Sequence, residues 1–525
     1  MRRPEAIVAA AALTLSAALI FAGLGRYAFW NDEAYTALLA KSVWQTGDTH
    51  ALLGHNLIAF QGGAALEGLR HRFDPPLAYY LAAPFLGLLG DTALAGRLPF
   101  ALCGLATIAL VVWWARRERA TTLAWSVLVM AILGNVSLML YSRQCRYYAL
   151  AMLASAALTY LYLHWDGSRR ALAAMAALSL ALLGANYINY AAFYACAIAD
   201  YLLWGRRRRR LSRRDLAILF VPQILLGGLM ACVWNPLGRP VVSHQSASWL
   251  ADKATLLWWN LRDLNRCEYG VGLLLLAAPV LGRLRRDPWL LRAFVALIVY
   301  VVATTLLSPQ PVGITDSADV RYLVPLIPLC IALGVLVVLA ATRRLPAAAV
   351  PLAALAFGTN LLHGAPLWDQ PVRSTIAEYV GELAHPRPTA YGEAALWVNR
   401  HVAEGQSIWV LPEYAVSPLM FHAPRPVYAW QLRWPPDEQF RGLPEIHFKD
   451  RVPPDYIIAF GPVVVPLRGL LDGWARSGVA RYAPTATLDV YWRDDTRPEL
   501  LWHAFRPVAG FRPDRECVYI FHRVR

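Results

Sequence analysis

The sequence predicts a polytopic α-helical membrane protein that carries an α/β domain at its C-terminal end. Three observations predict it. Of 525 residues, 57% are hydrophobic and only 16% charged, against roughly 25% charged in an average soluble domain. Apolar windows approaching the thickness of a hydrocarbon core recur through residues 1–364, and clusters of arginine separate alternate windows. Residues 365–525 read differently, as short β-like runs between amphipathic helices.

The charge distribution supports the same division. Net charge is 50 − 35 = +15, which in a soluble protein would point to nucleic acid. Residues 365–525 hold 18 basic and 18 acidic side chains, so the whole excess lies in the apolar part, where the positive-inside rule expects it. The 7 cysteines form no CxxC or Cys/His cluster, which excludes a disulfide-stapled scaffold and zinc modules.

In chain order, the windows lie near 6–29, 97–115, 120–141, 147–164, 170–186, 187–204, 216–234, 271–282, 288–307, 322–341 and 346–363, and about eleven crossings follow. Arginines at Arg2–Arg3, Arg116/Arg117/Arg119, Arg169–Arg170, Arg206 to Arg210 with Arg213–Arg214, Arg283/Arg285/Arg286 and Arg343–Arg344 are then expected to face the cytoplasm. The first window is expected to be an uncleaved anchor rather than a signal peptide, because its apolar run exceeds the usual 7–15 residues. The stretch PPLAYYLAAPFLGLLG at 75–90 is too short and too rich in proline to cross, and is expected to be re-entrant or interfacial. The loop 235–270, with Trp249, Trp258 and Trp259, is placed at the outer interface. In the C-terminal domain, SIWVL, DYIIAF and CVYIF read as strands. PLRGLLDGWARSG reads as a helix burying Leu467, Leu470, Leu471 and Trp474 and stopping at Gly478.

This topology sorts the unusual polar groups to the outer face. Asp32 and Glu33 follow the first window. His71, Arg72 and Asp74 stand in LRHRFDPPLAYY, and Arg97 opens the second span. Arg143, Arg146, Tyr147 and Tyr148 stand in YSRQCRYY, and Asp316, Asp319, Arg321 and Tyr322 in DSADVRYLVP. Arginine and tyrosine in such places often only anchor a protein in headgroups. Carboxylates gain nothing from anionic headgroups, so Asp32 marks a functional site.

The order DEAY, PPLAYY, ALAGRLPFALCGLATIALVVWWARR, YSRQCRYYALAMLASAALTYLYL and RYLVPLIPLC resembles the protein O-mannosyltransferase and aminoarabinose (lipid A) transferase family of C-type glycosyltransferases. The resemblance implies a GT-C fold over 1–364, with a catalytic first outer loop at 30–96 and a periplasmic domain at 365–525. It implies transfer of a sugar from a polyprenyl-phosphate donor to a lipid, glycan or protein acceptor, with inversion, on the outer face of a bacterial inner membrane. No nucleic acid enters, and membrane lipids surround the spans.

Carried over to this sequence, Asp32 matches the family's first-loop catalytic acid, with Glu33 its neighbour, and is expected to act as the general base on the acceptor while Arg146 and Arg321 hold the phosphate. Arg146 and Tyr148 match an R-x-Y motif in which Gln144 and Cys145 replace the usual Glu and Ala. Asp74 replaces a His, and Arg97, Arg321 and Tyr322 fall in the RLP and RY segments. Asp74, Arg97, Arg146, Tyr148, Arg321 and Tyr322 are therefore expected to bind substrate. The chemistry needs no cofactor, because a polyprenyl phosphate leaves as a stabilised anion; a divalent metal at Asp32, Glu33 and Asp74 is the lesser alternative. A lipid or glycan transporter is the competing class, but it would carry ionisable groups near mid-span, where these windows have almost none.

Overall fold

The computed structural model describes residues 3–59, 61–208, 210–235, 248–265, 271–310, 312, 318, 320–362, 372–386, 388–490 and 517–524. The first part of the chain is helical: α1 (Arg3–Phe21), α2 (Asn31–Thr46), α3 (Leu77–Leu89), α4 (Ala93–Arg117), α5 (Thr122–Leu133), α6 (Val136–Ser142), α7 (Tyr148–Leu163), α8 (Arg169–Ala185) and α9 (Tyr187–Asp200). After one π turn come α10 (Arg206–Arg208), α11 (Arg213–Val233), α12 (Trp249–Leu264), α13 (Val271–Arg285) and α14 (Pro288–Leu307). The 3₁₀ segment Val320–Leu326 then leads into α15 (Ile327–Ala341), followed by α16 (Ala349–Gly358).

Each of the eleven windows holds a helix, but not each holds a full span. Ala93–Arg117, Arg213–Val233, Pro288–Leu307 and Val320–Ala341 are long and apolar enough to cross. The window 120–141 is α5 and α6, bent by 57° and counting at most as a fifth. The chain is therefore a multi-pass membrane protein, and helix length alone does not fix the number of crossings. The loop expected at 235–270 contains α12, whose Trp249 and Trp258 are exposed; Asp316 and Asp319 lie outside the described residues.

Helix α3 has 13 residues, about 20 Å at 1.5 Å per residue, too short for a 30 Å hydrocarbon core. It packs on α2 where a Cβ at Gly87 would stand 2.1 Å from the Trp44 ring, so glycine is what permits the approach. Between α2 and α3 two small antiparallel hairpins form, β1 (Leu52–Leu53) with β2 (Asn56–Leu57) and β3 (Leu66–Glu67) with β4 (Arg70–His71).

Further along are α17 (Thr375–Ala384), α18 (Ala390–His401), β5 (Ser407–Leu411), α19 (Val416–His422), β6 (Val427–Tyr428), β7 (Tyr456–Phe460), α20 (Val464–Ser477), β8 (Arg481–Leu488) and β9 (Val518–Val524). The strands form one sheet in the order β6-β5-β7-β9-β8, with β5 parallel to β6 and β7, and β9 antiparallel to β7 and β8. Central β7 is buried at all five positions, as its unbroken apolar run requires. Helix α20 ends at Gly478, whose φ of +74° suits a glycine, and it buries Leu467 and Leu471; Leu470, expected inside, is 42% exposed.

One sheet face shares a continuous apolar core with the helices, from Ile20 and Phe29 through Phe421 to Ile520. The other face packs Trp409, Trp430 and Tyr519 against α20. Contacts to the α1–α2 turn reinforce the shared core. The N–H of Phe29 donates to His422 Nε2 at 3.0 Å, Arg26 Nη1 donates to the Leu383 carbonyl at 3.0 Å, and the Tyr27 hydroxyl donates to Glu382.

Burial, with the charge of Arg97 second, pulls His422 from 6.5 down to about 4. Between those values the unfolded chain binds a proton that the folded protein refuses, so stability falls as pH drops from about 6.5 to about 4, then levels off. The unfolding midpoint in detergent is expected to decline over this window, and His422→Gln to remove that part of the decline. An unchanged slope in the variant would show that His422 is not the titrating group.

Candidate functional site

The site grows from the way α1 ends. Helix α1 stops at Phe21, and the carbonyls it leaves without intrahelical partners are taken up by arginines from later helices. Arg143 Nη1 donates to the carbonyls of Leu19, Ile20 and Ala22 at 2.8–3.0 Å, and the Tyr379 hydroxyl donates to Leu19 O at 2.8 Å. Arg97 Nη1 donates to Leu24 O and Tyr27 O, Nη2 to Ala28 O and to Glu33 Oε2 at 2.6 Å, and Nε to Glu33 Oε1 at 2.8 Å. All five guanidinium donors thereby find acceptors. Glu33, 1% exposed, also accepts from the Cys145 N–H at 2.8 Å.

Glu33 and Arg97 therefore stand in the wall of the site. They were expected as a catalytic carboxylate and a substrate-binding cation, but both are buried, paired with each other and completed by backbone groups. Tyr148, also expected to bind substrate, is fully buried at the start of α7, edge-on to Tyr141 and Tyr147.

Asp32 is the member of the acid pair that stays accessible, its side chain 24% exposed against 1% for Glu33. It sits in the first turn of α2, where the helix N-terminus favours a negative charge. Arg321 Nη1 donates to Asp32 Oδ2, and Arg146 Nη2 lies 3.6 Å from the same oxygen. Arg146 is steadied by Nη1, which donates to Thr36 Oγ1 at 2.9 Å and to the Asp32 carbonyl at 3.4 Å. The side chains of Asp32, Arg146 and Arg321 are 24%, 14% and 21% exposed, so the group is accessible yet largely desolvated. Two guanidinium groups around one carboxylate oxygen make a ready anion site of bidentate character.

Arg321 owes its place to two contacts. Asp263 of α12, 1% exposed, accepts from the Ala318 N–H at 2.7 Å and from Arg262, which fixes the backbone three residues before Arg321. Asn189 Nδ2 donates to the Tyr322 carbonyl at 2.6 Å, and Arg321 lies over the Tyr322 ring at 5.8 Å. Tyr322 thus adjoins the cleft. Nothing in the sequence marks Asp263, because its partner is a backbone N–H in a distant loop.

Asp74 is tied to the loop after β4 through His71. The Tyr35 hydroxyl donates to His71 Nδ1 at 2.9 Å, and His71 Nε2–H donates to Asp74 Oδ2 at 3.1 Å. In the same loop Arg72 pairs with Asp48 through both oxygens at 2.6–2.7 Å, and this hydrogen bonding holds the Asp48 carboxyl below its usual range. Among the described residues no group of three His, Cys, Asp or Glu side chains is placed to hold a metal ion.

Residues 74–234 match the family model described as dolichyl-phosphate-mannose-protein mannosyltransferase. Two solved structures match nearly the whole chain, both ArnT from Cupriavidus metallidurans. The apo form is 14% identical and the form bound to undecaprenyl phosphate 16%, each with a TM-score of 0.57 and 97% of both chains covered. The fold is that of a C-type glycosyltransferase. The resemblance read from the sequence is thus met by the family match and by the fold. Comparison with curated proteins by sequence gives no match. The matched segment carries Asp74, Arg97, Arg146 and Tyr148, while Asp32 and Arg321 lie outside it and reach the cleft only through the fold.

The two neighbouring acids are expected to respond differently to loss of charge. Glu33→Gln leaves the Arg97 guanidinium buried without its counter-ion and should destabilise by about 3–5 kcal/mol. Asp32→Asn, at a side chain that is 24% exposed and can be rehydrated, should cost clearly less than Glu33→Gln. Thermal unfolding in detergent measures both, and equal losses would contradict the division into wall and cleft.

Proposed function

We propose that the protein transfers a sugar from a polyprenyl-phosphate donor to an acceptor on the outer face of a bacterial inner membrane, by a single inverting displacement. The observation that carries this reading is the convergence of Arg146 and Arg321, at the N-terminal ends of two helical segments, on Asp32. The ArnT structure that holds undecaprenyl phosphate has the same fold, which supports the choice of donor.

In the reaction the bond between the anomeric carbon and the phosphate oxygen breaks, and its electron pair leaves on the phosphate. Arg146 and Arg321 stabilise that growing charge through paired hydrogen bonds, so no strong general acid is needed. One displacement inverts the anomeric centre, whereas retention would need a protein nucleophile and a second step. Asp32 lies beside the phosphate position and orients the attacking oxygen; the sequence expectation of a base rests on the same placement. A transporter would need ionisable groups within its spans. Asp200 and Arg292 are the pair that comes nearest, and they are bound to each other at 2.7–2.8 Å near the arginine-rich end of α9.

Lysine keeps the charge and loses the planar fork. Arg146→Lys and Arg321→Lys are therefore expected to weaken undecaprenyl phosphate binding about 10–150-fold, the equivalent of one charge-assisted hydrogen bond at roughly 1.5–3 kcal/mol. Calorimetry on purified protein in detergent decides this, and wild-type affinity in both variants would place the phosphate elsewhere.

Asp32→Asn is expected to lower sugar transfer by about 10²-fold, the loss that follows when an attacking oxygen is misplaced. Its affinity for undecaprenyl phosphate should hold or rise, because the carboxylate that competes for the arginines is gone. Mass analysis of surface lipids and glycans, with and without the gene, provides the transfer assay. Near-normal product from the variant would remove Asp32 from the mechanism.

A further inference from the structure

The hydrogen-bonded chain Tyr35–His71–Asp74 has the connectivity of a hydroxyl, an imidazole and a carboxylate in series. A neutral imidazole with its proton on Nε2 satisfies both ends at once. Nδ1 accepts from the Tyr35 hydroxyl at 2.9 Å, and Nε2–H donates to Asp74 Oδ2 at 3.1 Å. The imidazole is held on every side. Its ring meets Tyr35 and Tyr79 edge-on at 5.3 and 5.9 Å, and its backbone exchanges hydrogen bonds with Thr49 at 2.7 and 2.9 Å. His71 is only 3% exposed, while Asp74 is 33% exposed and open to solvent. Series of this kind serve to draw a proton from the hydroxyl end and stabilise the imidazolium at the carboxylate end.

The chain borders the donor site. Tyr35 lies one turn after Asp32 on α2, within the same broad face of the helix, and is half-buried. Tyr79, packed on His71, is within electrostatic range of Arg146. Asp32 itself is committed to two guanidinium groups, and taking a proton would forfeit both attractions.

We propose that Tyr35, His71 and Asp74 form the proton acceptor of the transfer reaction, and that the acceptor substrate is consequently a hydroxyl rather than an ionised phosphate. A phosphate acceptor needs no base at neutral pH; a sugar or side-chain hydroxyl does. The acceptor O–H proton passes to the Tyr35 oxygen as the Tyr35 proton passes to His71 Nδ1. The freed acceptor oxygen bonds to the anomeric carbon, the sugar–phosphate bond breaks, and its electron pair leaves on the phosphate held by Arg146 and Arg321. The imidazolium faces the Asp74 carboxylate and returns its proton to water on the outer side. Asp32 orients the acceptor oxygen throughout.

This inference rests on the donor reading above, and the test separates the two. Tyr35→Phe keeps the ring and removes the hydroxyl. His71→Gln keeps a donor near Asp74 and cannot take a proton. Each variant is expressed in a strain lacking the gene. Glycosylated product is measured by mass spectrometry, and binding of undecaprenyl phosphate by calorimetry on the purified protein.

The expected result is a product loss on the order of 10²-fold in both variants, with undecaprenyl phosphate affinity within twofold of wild type. Adding imidazole to the medium should partly restore His71→Ala. Wild-type product from His71→Gln overturns the proposal, as does a parallel loss of undecaprenyl phosphate binding, which marks a purely structural tie. If the wild-type protein binds no undecaprenyl phosphate, the donor reading falls and this proposal falls with it. An isolated product bearing the sugar on a phosphate also overturns it.

Discussion

The buried pair between Glu33 and Arg97 is the constraint on which the outer face depends. It closes the turn between α1 and α2, and through the Cys145 N–H it ties that turn to the loop that carries Arg146. Asp32 is the residue before Glu33, so its position on the cleft follows directly from where Glu33 is fixed. A pair of buried charges is weak support for stability when it stands alone. Here the remaining guanidinium donors satisfy the carbonyls of the α1–α2 turn, and the pair becomes the hub of a fully bonded network.

Arginine does this work at the membrane edge for a physical reason. The end of an apolar helix leaves carbonyls that water would satisfy in a soluble protein. At the C-terminal end of α1 those carbonyls are met by Arg143 and by the Tyr379 hydroxyl of α17, which take the place of water. The same packing binds the C-terminal part of the chain to the α1–α2 turn through Phe29, His422 and the shared core. The sheet is therefore part of the structure that shapes the cleft, with one face continuous with the helices and the other closed by α20.

Much of this was legible in the chain. The helices, the short segment at 75–90, the three strand runs and the stop at Gly478 follow from local composition and period. Other features were not legible for identifiable reasons. Leu470 fits the helical stripe of α20 and yet is exposed, because periodicity gives a face and not its edge. The bend between α5 and α6 falls at Gly134–Asn135, where the Asn135 side chain caps the second helix inside an otherwise continuous apolar window. Asp263 and the Tyr35–His71 pair escaped because their partners are a backbone amide and residues tens of positions away.

The sequence by itself determined the membrane-helical class, the expectation that the polar ring gathers on one face and the resemblance to C-type glycosyltransferases, since hydropathy, arginine placement and motif order are properties of short segments. Only the tertiary structure decided which of two adjacent acids meets the cleft. Asp32 and Glu33 occupy successive positions in the first turn of one helix and therefore point about 100° apart. Their partners come from Arg321, 289 residues on, and Arg97, 64 residues on. No local pattern carries that information, because an ion pair is set by distance in space, and the packing of α4 and of the segment after α14 brings each arginine to its own acid.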